Sequence, residues 1–473
     1  MKLIKNNIWI IIGIASAILA AGAIAIFGAV GFFMMLLILA SLILAVAIFK
    51  NPFLGFLILL FFLPFERIPS YDLGPITFKI NQLIALILIV AWALGVLFNH
   101  YKISKNPTLV FLIIFLFTCS FSFTQAFNLS RAISVFIFIL FMAVIYFVTI
   151  NLVDSEEKLK KSIIIIFITT LITCLFALYQ FGADIIGMPE TVTGLDPGFS
   201  RVVFGFPRPQ SFSMEPLYLA NFLLIPIGLG LAFVFAKNPP IKRSNLIILV
   251  ILMIIVFILT VSRGAYLGFI ALLLLLAILM PKQIINWRNI LIGLLSVAII
   301  LIAVFWVLQK AEPEAYENFI GHITLEDYFV MGGESTYGRL ITYQDAIAAW
   351  KESPLFGIGL GNYGPYVDNY PLNAPEDGWK VVNNEYLEIL AETGLIGLVA
   401  FLLFIISIII KSFICMFKTK NKFLKTALIG LFVAFIGILS QYNFFSTLYI
   451  MYIWVAMGIL VATQNLIIGN KKN

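Results

Sequence analysis

Charge is what this chain has least of. Only 11% of its 473 residues are Asp, Glu, Lys or Arg, and 62% are hydrophobic. A soluble globular chain carries about 25% charged residues. The shortage leaves little room for a separate soluble domain. Cysteine is scarce too. Cys119, Cys174 and Cys415 lie in apolar or lysine-rich segments with no paired or metal-ligand spacing. They read as small apolar filler, so neither a disulfide framework nor a cysteine metal site is expected. Internal repeats and low-complexity tracts are not evident. The net charge of +7 does not imply nucleic acid, because it resides mostly in short lysine-bearing loops.

What is present is a series of apolar runs long enough to span a bilayer, about 20 residues each. They lie near 8–26, 29–49, 52–65, 80–99, 108–124, 131–150, 162–182, 214–236, 246–261, 264–280, 289–309, 387–410, 426–441 and 446–467, fourteen in all with a short third. The expected fold is all-α, a polytopic transmembrane bundle of about 12–14 spans. "MKLIKNN" is a basic start, but the apolar run after it is too long and lacks a clear cleavage site for a signal peptide. It reads as two helices around a turn near Gly28 to Gly31.

Placing the N-terminus inside puts twenty of the thirty basic residues in cytoplasmic loops, eighteen of them lysines. Of the ten left outside, six are arginine: Arg67, Arg131, Arg201, Arg208, Arg263 and Arg339. Lysine suffices as a topology signal. Arginine offers a planar fork that binds phosphate oxygens bidentately. The bias has two readings: a bound phosphate or diphosphate, or arginines that snorkel or pair with loop acids.

Two external loops stand out, about 183–213 and 310–385. Loops beyond about 12–15 residues are usually functional or disordered. In the second, Leu340, Tyr343, Ala346, Ile347 and Trp350 recur at helical spacing, and Pro354 ends the stretch. The domain expectation is spans 1–11 over 1–309, a large extracytoplasmic lid over 310–386 and spans 12–14 over 387–473. Both termini are expected in the cytoplasm.

Four segments could carry chemistry. In "VSRGAYLGF", Arg263 sits at a turn without a nearby acid and wants an anion, unless it merely snorkels. In "YGRLITYQDAIAAWKESPLFGIGLGNYG", Arg339 opens the amphipathic helix. Its "GLGNYG" matches G-x-G-x-x-G but lacks the preceding strand of a dinucleotide site. The glycines there permit a tight turn and close backbone approach. In "GFPRPQSFSMEPLYLANF", Arg208 and Glu215 bracket a helix start, with Ser213 as candidate N-cap. Glu215 reads either as a carboxylate favoured by the helix dipole or as a general base. In "VVNNEYLEILAETGLIG", Asn383 or Asn384 can cap the helix. Glu385, Glu388 and Glu392 fall on one face. That face is expected to look inward, toward the external arginines.

The stretch 337–397 resembles the signature of the O-antigen ligase and Wzy-type polysaccharide polymerase family. "SRGAYLGF" is similar to that family's arginine-bearing span junction, and "RPQSFSMEPLYLA" to a segment of its polymerase members. The resemblance implies glycosyl transfer at the outer face of the bacterial cytoplasmic membrane, from a polyprenyl-diphosphate-linked oligosaccharide. No metal, nucleotide sugar or other cofactor is implied. A flippase and a chain-length regulator are implied as partners alongside membrane lipid. By motif, Arg263 and Arg339 carry over as catalytic residues; Glu215 is the catalytic base chosen from the residues themselves. Arg208, Asn383, Asn384, Glu385 and Tyr386 are the candidate substrate contacts. Where many relatives read His-Asn-x-Tyr-Leu, this chain has Asn383. An amide cannot take a proton from a hydroxyl. The base must lie elsewhere, with Glu215, Glu385 and His322 as candidates. The departure favours a polymerase over a ligase. A lipid-linked sugar flippase is the reading from another class, although no related halves are seen.

Overall fold

A computed structural model describes residues 41–67, 70–73, 76–101, 103–104, 106–236, 239–281, 334–369 and 378–469. The expected spans 8–26 and 289–309, the first part of 29–49, the turn at Gly28 to Gly31, the segment 310–333 and His322 lie outside these residues.

The described helices, in chain order, are α1 (Ser41–Lys50), α2 (Pro52–Phe62), α3 (Ile80–Leu97), α4 (Thr108–Phe121), α5 (Leu129–Leu152) and α6 (Glu156–Ile185). There follow the short turns α7 (Glu190–Thr193) and α8 (Arg201–Phe204), then α9 (Pro216–Phe235), α10 (Arg243–Leu259) and α11 (Arg263–Leu279). The last are α12 (Glu334–Glu352), α13 (Tyr363–Val367), α14 (Glu385–Lys418), α15 (Lys422–Gln441) and α16 (Met451–Gly469). Among the described residues, eight helical segments are long and apolar enough to cross a membrane, and four shorter ones are apolar. The polytopic all-α bundle expected from the apolar runs is the architecture observed.

Local chemistry sets the helix starts. Asn51, Asn128, Ser155 and Asn421 each accept the amide of the residue three positions on, capping α2, α5, α6 and α15. The last expected span, 446–467, begins at Met451 instead. Thr447 and Leu448 donate their amides to Glu385 rather than to a helix, which holds 442–450 as a turn.

One departure from an all-α chain is a hairpin, β1 (Ser70–Leu73) with β2 (Ile76–Lys79), antiparallel with Ser70 opposite Lys79. It is too short to span, and Tyr71, Ile76, Thr77 and Phe78 favour extended backbone. It runs straight into α3.

α15 packs against α9 and α11, α14 against α4, and α16 against α5. Small residues permit the closest crossings: a Cβ on Gly268 would stand 2.5 Å from the Gly437 carbonyl oxygen. The two ends of the bundle differ. At one, Asn421 bonds Glu156 at 2.7 Å, and the Lys411 ammonium bonds Asn106 at 3.1 Å and Asn465 at 2.8 Å. Lysine-bearing turns sit there. At the other end lie the turns after α2, α6, α10 and α15, and the last of these meets α12 and the start of α14. Arg67, Arg131, Arg208 and Arg263 gather at that end.

The amphipathic helix of the long loop exists as α12, but its buried face is turned. Ala346 and Ala349 are buried, whereas Leu340 and Ile347 are exposed. With Ile358, Tyr363, Val382 and Ala391 these alanines form a second small core. Their size decides the face, because they let α12 lie close to α14. Pro354 ends the helix as expected, and its carbonyl receives the Trp350 indole at 3.1 Å.

Candidate functional site

The segment from Arg208 to Glu215 and the α10–α11 turn form one unit. Arg208 donates from Nε to the Thr260 carbonyl at 3.1 Å and from an Nη to Val261 at 3.3 Å. Its guanidinium also lies over the Phe199 ring, 5.8 Å from the centroid. Val261 has a φ of +47°, which a β-branched residue rarely adopts. Strain of this kind costs about 1–3 kcal/mol and persists only where its surroundings impose it. The Arg208 fork on the two carbonyls is such a constraint. Two residues on, Arg263 begins α11 behind Ser262.

Burial pushes the Arg208 guanidinium below its ordinary value; Tyr266 and Glu215 oppose this, and the like charge of Arg263 adds to it. Arg208, Glu215 and Arg263 thus sit within electrostatic reach of one another. Glu215 itself is the N-cap residue of α9, and its carboxyl makes no cap bond. Ser213 does not cap as expected: Pro216 fixes the helix start one residue after Glu215, and the Ser213 hydroxyl is buried without a partner. Burial raises the Glu215 carboxyl above its ordinary value, Arg208 works against that, and Asp196 adds to it.

Glu215 also lines a cavity of about 290 Å³, shared with Glu66, Lys79, Asn81, Tyr218 and Tyr449. Glu66 is only 6% exposed, and its Oε2 is enclosed with no hydrogen-bond partner. Burial pushes its carboxyl up to about 7, against the pull of Lys79. Sequence reading passed over Glu66. The available signal was a lone acid beside Arg67 at the end of an apolar run.

The mouth of α14 is different. Asn384 caps the helix by accepting the Leu387 amide at 3.1 Å, and it donates to the Asn443 carbonyl at 3.2 Å. Asn383, before it, adopts a left-handed φ of +59°, which asparagine tolerates better than most residues. Glu385, Glu388 and Glu392 are 1%, 4% and 3% exposed. Glu385 accepts the amides of Thr447 at 2.5 Å and Leu448 at 2.9 Å. Glu388 accepts the Val382 amide at 3.1 Å and the Ser446 hydroxyl at 2.6 Å. Glu392 accepts the amides of Gly361 at 2.7 Å and Tyr363 at 3.1 Å.

These acids do face inward, but they meet backbone amides and Ser446 rather than Arg263 and Arg339. The nearby cation is Arg131, which lies in the field of Glu392 and Glu388. Its Nε donates to the Gly361 carbonyl and its fork lies 4.8 Å from the centre of the Trp379 ring. Tyr386 donates to the Leu439 carbonyl at 2.8 Å.

The glycine-rich run "GIGLG" lies against the kink in α14. Gly394 has φ +68°, and the chain beside it pairs with 354–359 through Ile358 to Ala391 at 3.0 Å and Leu395 to Pro354 at 2.9 Å. A Cβ on Gly357 would stand 2.3 Å from the Glu392 carbonyl carbon, and one on Gly394 2.3 Å from that of Leu355. The motif serves close backbone approach, as its sequence context indicates.

Arg339 lies on α12, half-buried, one turn before Tyr343. The Tyr343 hydroxyl donates to the Asn443 carbonyl at 2.8 Å. The next residue, Phe444, places its Cβ 2.8 Å from where a Gly264 Cβ would be. The 442–450 turn therefore lies between the helix bearing Arg339 and the start of the helix bearing Arg263.

Residues 248–402 match the profile of a family described as O-antigen ligase. The matched segment, about a third of the chain, runs from α10 into α14. It includes Arg263, Arg339 and Asn383 but not Glu66, Arg208 or Glu215. No curated protein matches the chain.

Proposed function

We propose, from the premise that the chain belongs to the O-antigen ligase/Wzy-type family, that it is a Wzy-type polysaccharide polymerase. It transfers an undecaprenyl-diphosphate-linked oligosaccharide to the non-reducing end of another lipid-linked repeat unit. The reaction takes place at the outer face of the cytoplasmic membrane, with both termini inside. The observation that carries the reading is the grouping of Arg208, Arg263 and Glu215 around one strained turn, with Glu215 also lining a cavity.

The acceptor hydroxyl oxygen attacks the anomeric carbon as the bond from that carbon to the diphosphate oxygen breaks. The electron pair leaves with the lipid diphosphate. Arg263 and Arg339 stabilise the charge that develops there, which fixed guanidinium groups do best in a water-poor site. Glu215 takes the hydroxyl proton. Burial raises its carboxyl above the ordinary value, which makes it a stronger base than an ordinary carboxylate. Arg208 holds the turn and the field around Glu215.

Purified full-length chain supplied with synthetic lipid-linked repeat units should give a ladder of products. Arg263→Ala and Arg339→Ala should abolish it. No polymer, or variants as active as the parent, overturns the proposal. A ligase, which the family description equally accommodates, would give one capped product on a different acceptor. Asn383 argues for the polymerase, since the ligase's imidazole is absent there. Passage of lipid-linked sugar across vesicles without any new glycosidic bond would point to a flippase.

A further inference from the structure

Two side chains that line the cavity beside Glu215 carry unmet acceptors, both sealed in its wall. Oε2 of Glu66 is one; Oδ1 of Asn81, a residue 2% exposed, is the other. The Asn81 amide nitrogen is spent on the Leu63 carbonyl at 3.5 Å, so its oxygen is the end left over. Buried polar groups are nearly always paired, and an orphan in a native cavity needs an explanation. Two orphans lining the same cavity ask for one ligand rich in donors.

The lining narrows the class. Two carboxyl groups, Glu66 and Glu215, face one ammonium, Lys79. That balance disfavours an anion, so the diphosphate belongs with the arginines instead. Tyr218, Tyr449 and Phe138 provide apolar ring surface. The volume of about 290 Å³ lies at the lower limit of ligand pockets, about 300–1,000 Å³. It holds one ring rather than a chain. A neutral polyol with an apolar face and adjacent hydroxyls meets all of these conditions.

We propose that this cavity is the subsite for the terminal sugar of the acceptor, with the Glu66 carboxyl and the Asn81 amide in its wall receiving hydroxyls of that sugar. It deepens the glycosyl-transfer reading and rests on it. The sugar so held lies against Glu215, which would take the proton of a further hydroxyl. Glu66 and Asn81 are binding residues that set which sugar is accepted.

The test uses the full chain in phosphatidylcholine–phosphatidylglycerol nanodiscs, free of sugar detergents. The probes are methyl glucoside, methyl galactoside and methyl N-acetylglucosaminide, read by saturation-transfer NMR, with farnesyl diphosphate as a separate donor probe. At least one glycoside should bind the wild type. Glu66→Leu and Asn81→Ala should each weaken it about tenfold, the value of a lost hydrogen bond to a buried group. Glu66→Gln keeps an acceptor and should hold affinity within about threefold. Farnesyl diphosphate binding should not change in any of these variants.

Thermal unfolding separates this from a structural role. Oε2 has no protein partner, so Glu66→Leu should leave the midpoint unchanged or higher. The inference is overturned if no glycoside binds a chain that binds farnesyl diphosphate. It is also overturned if glycoside binding survives Glu66→Leu and Asn81→Ala, or if Glu66→Leu lowers the midpoint and farnesyl diphosphate binding together. If glycosides bind as expected but farnesyl diphosphate does not, the donor assignment fails and the sugar subsite stands.

Discussion

Two groups of carboxylates lie at the same end of the bundle and have opposite surroundings. On α14, Glu385, Glu388 and Glu392 are sealed from solvent, and each accepts two hydrogen bonds from the chain. On the other side of the 442–450 turn, Glu66 keeps an oxygen with no partner and Glu215 makes no cap bond, and both line a cavity that Tyr449 and Ile450 of that turn share. The first group is spent on architecture. It ties the 442–450 turn and the glycine-rich loop to the start of a membrane helix. The second is left over by the architecture and is available to a ligand. Burial alone would not separate them, since Glu66 is nearly as buried as the α14 acids. Satisfaction does.

The largest effect expected on that contrast is at Glu392. Glu392→Leu strands the buried amides of Gly361 and Tyr363. Leaving two buried donors without an acceptor costs about 2–6 kcal/mol, at about 1–3 kcal/mol each. Thermal unfolding in nanodiscs should show a large fall in midpoint, where Glu66→Leu shows none. Equal falls in the two variants would erase the distinction.

The pH dependence of stability is the next in size. Glu66 has its carboxyl raised from 4.5 to about 7 in the folded state. Between those values the folded chain binds more protons than the unfolded one. Stability is therefore full below about pH 4.5, falls as pH rises to about 7, and levels beyond, a loss of about 3 kcal/mol. Lys79 and Glu215 face the same cavity. The first is already counted against the shift, and the second has a raised carboxyl and adds a loss of the same sign. Unfolding midpoints across pH 4.5–7.5 should flatten in Glu66→Gln relative to wild type. The same slope in both would remove Glu66 from the comparison.

Activity should part the two groups in another way. Arg263→Ala should slow transfer about a hundredfold or more, the effect of removing one charge-stabilising group, with the unfolding midpoint unchanged. Arg208→Ala should lower both, because its fork also restrains the turn at Val261. Steady-state transfer and unfolding measured on the same preparations check this.

The bundle was legible because apolar runs of bilayer length have few alternatives. The starts at Pro216 and Arg263 fall within two residues of the expected 214 and 264. α12 was legible as a helix, but not its face, since buried alanines carry little hydrophobic signal beside exposed Leu340 and Ile347. Arg208, Glu215 and Arg263 could be singled out as residue types at span junctions. Their grouping could not, because it depends on Arg208 reaching the carbonyls of Thr260 and Val261, more than fifty residues away. The acids of α14 were misdirected toward Arg263 and Arg339 for the complementary reason. A sequence displays charged partners and hides backbone amides, and amides are what these acids meet. Glu66 and Asn81 become visible only when the cavity that leaves them unpaired is assembled.

The smallest effect is at the asparagine pair that opens α14. Asn384 is spent like the glutamates after it, on the Leu387 amide and the Asn443 carbonyl. Asn384→Ala should cost about 1 kcal/mol of stability, as the loss of an N-cap does, with transfer by the folded fraction unchanged. Asn383 holds a left-handed backbone that glycine adopts without strain. Asn383→Gly therefore keeps the turn and removes only the amide. If that amide touches the sugar, KM for the lipid-linked unit rises while the unfolding midpoint stays. If KM is unmoved, Asn383 joins the architectural side with its neighbour, and recognition passes wholly to the cavity lined by Glu66 and Glu215.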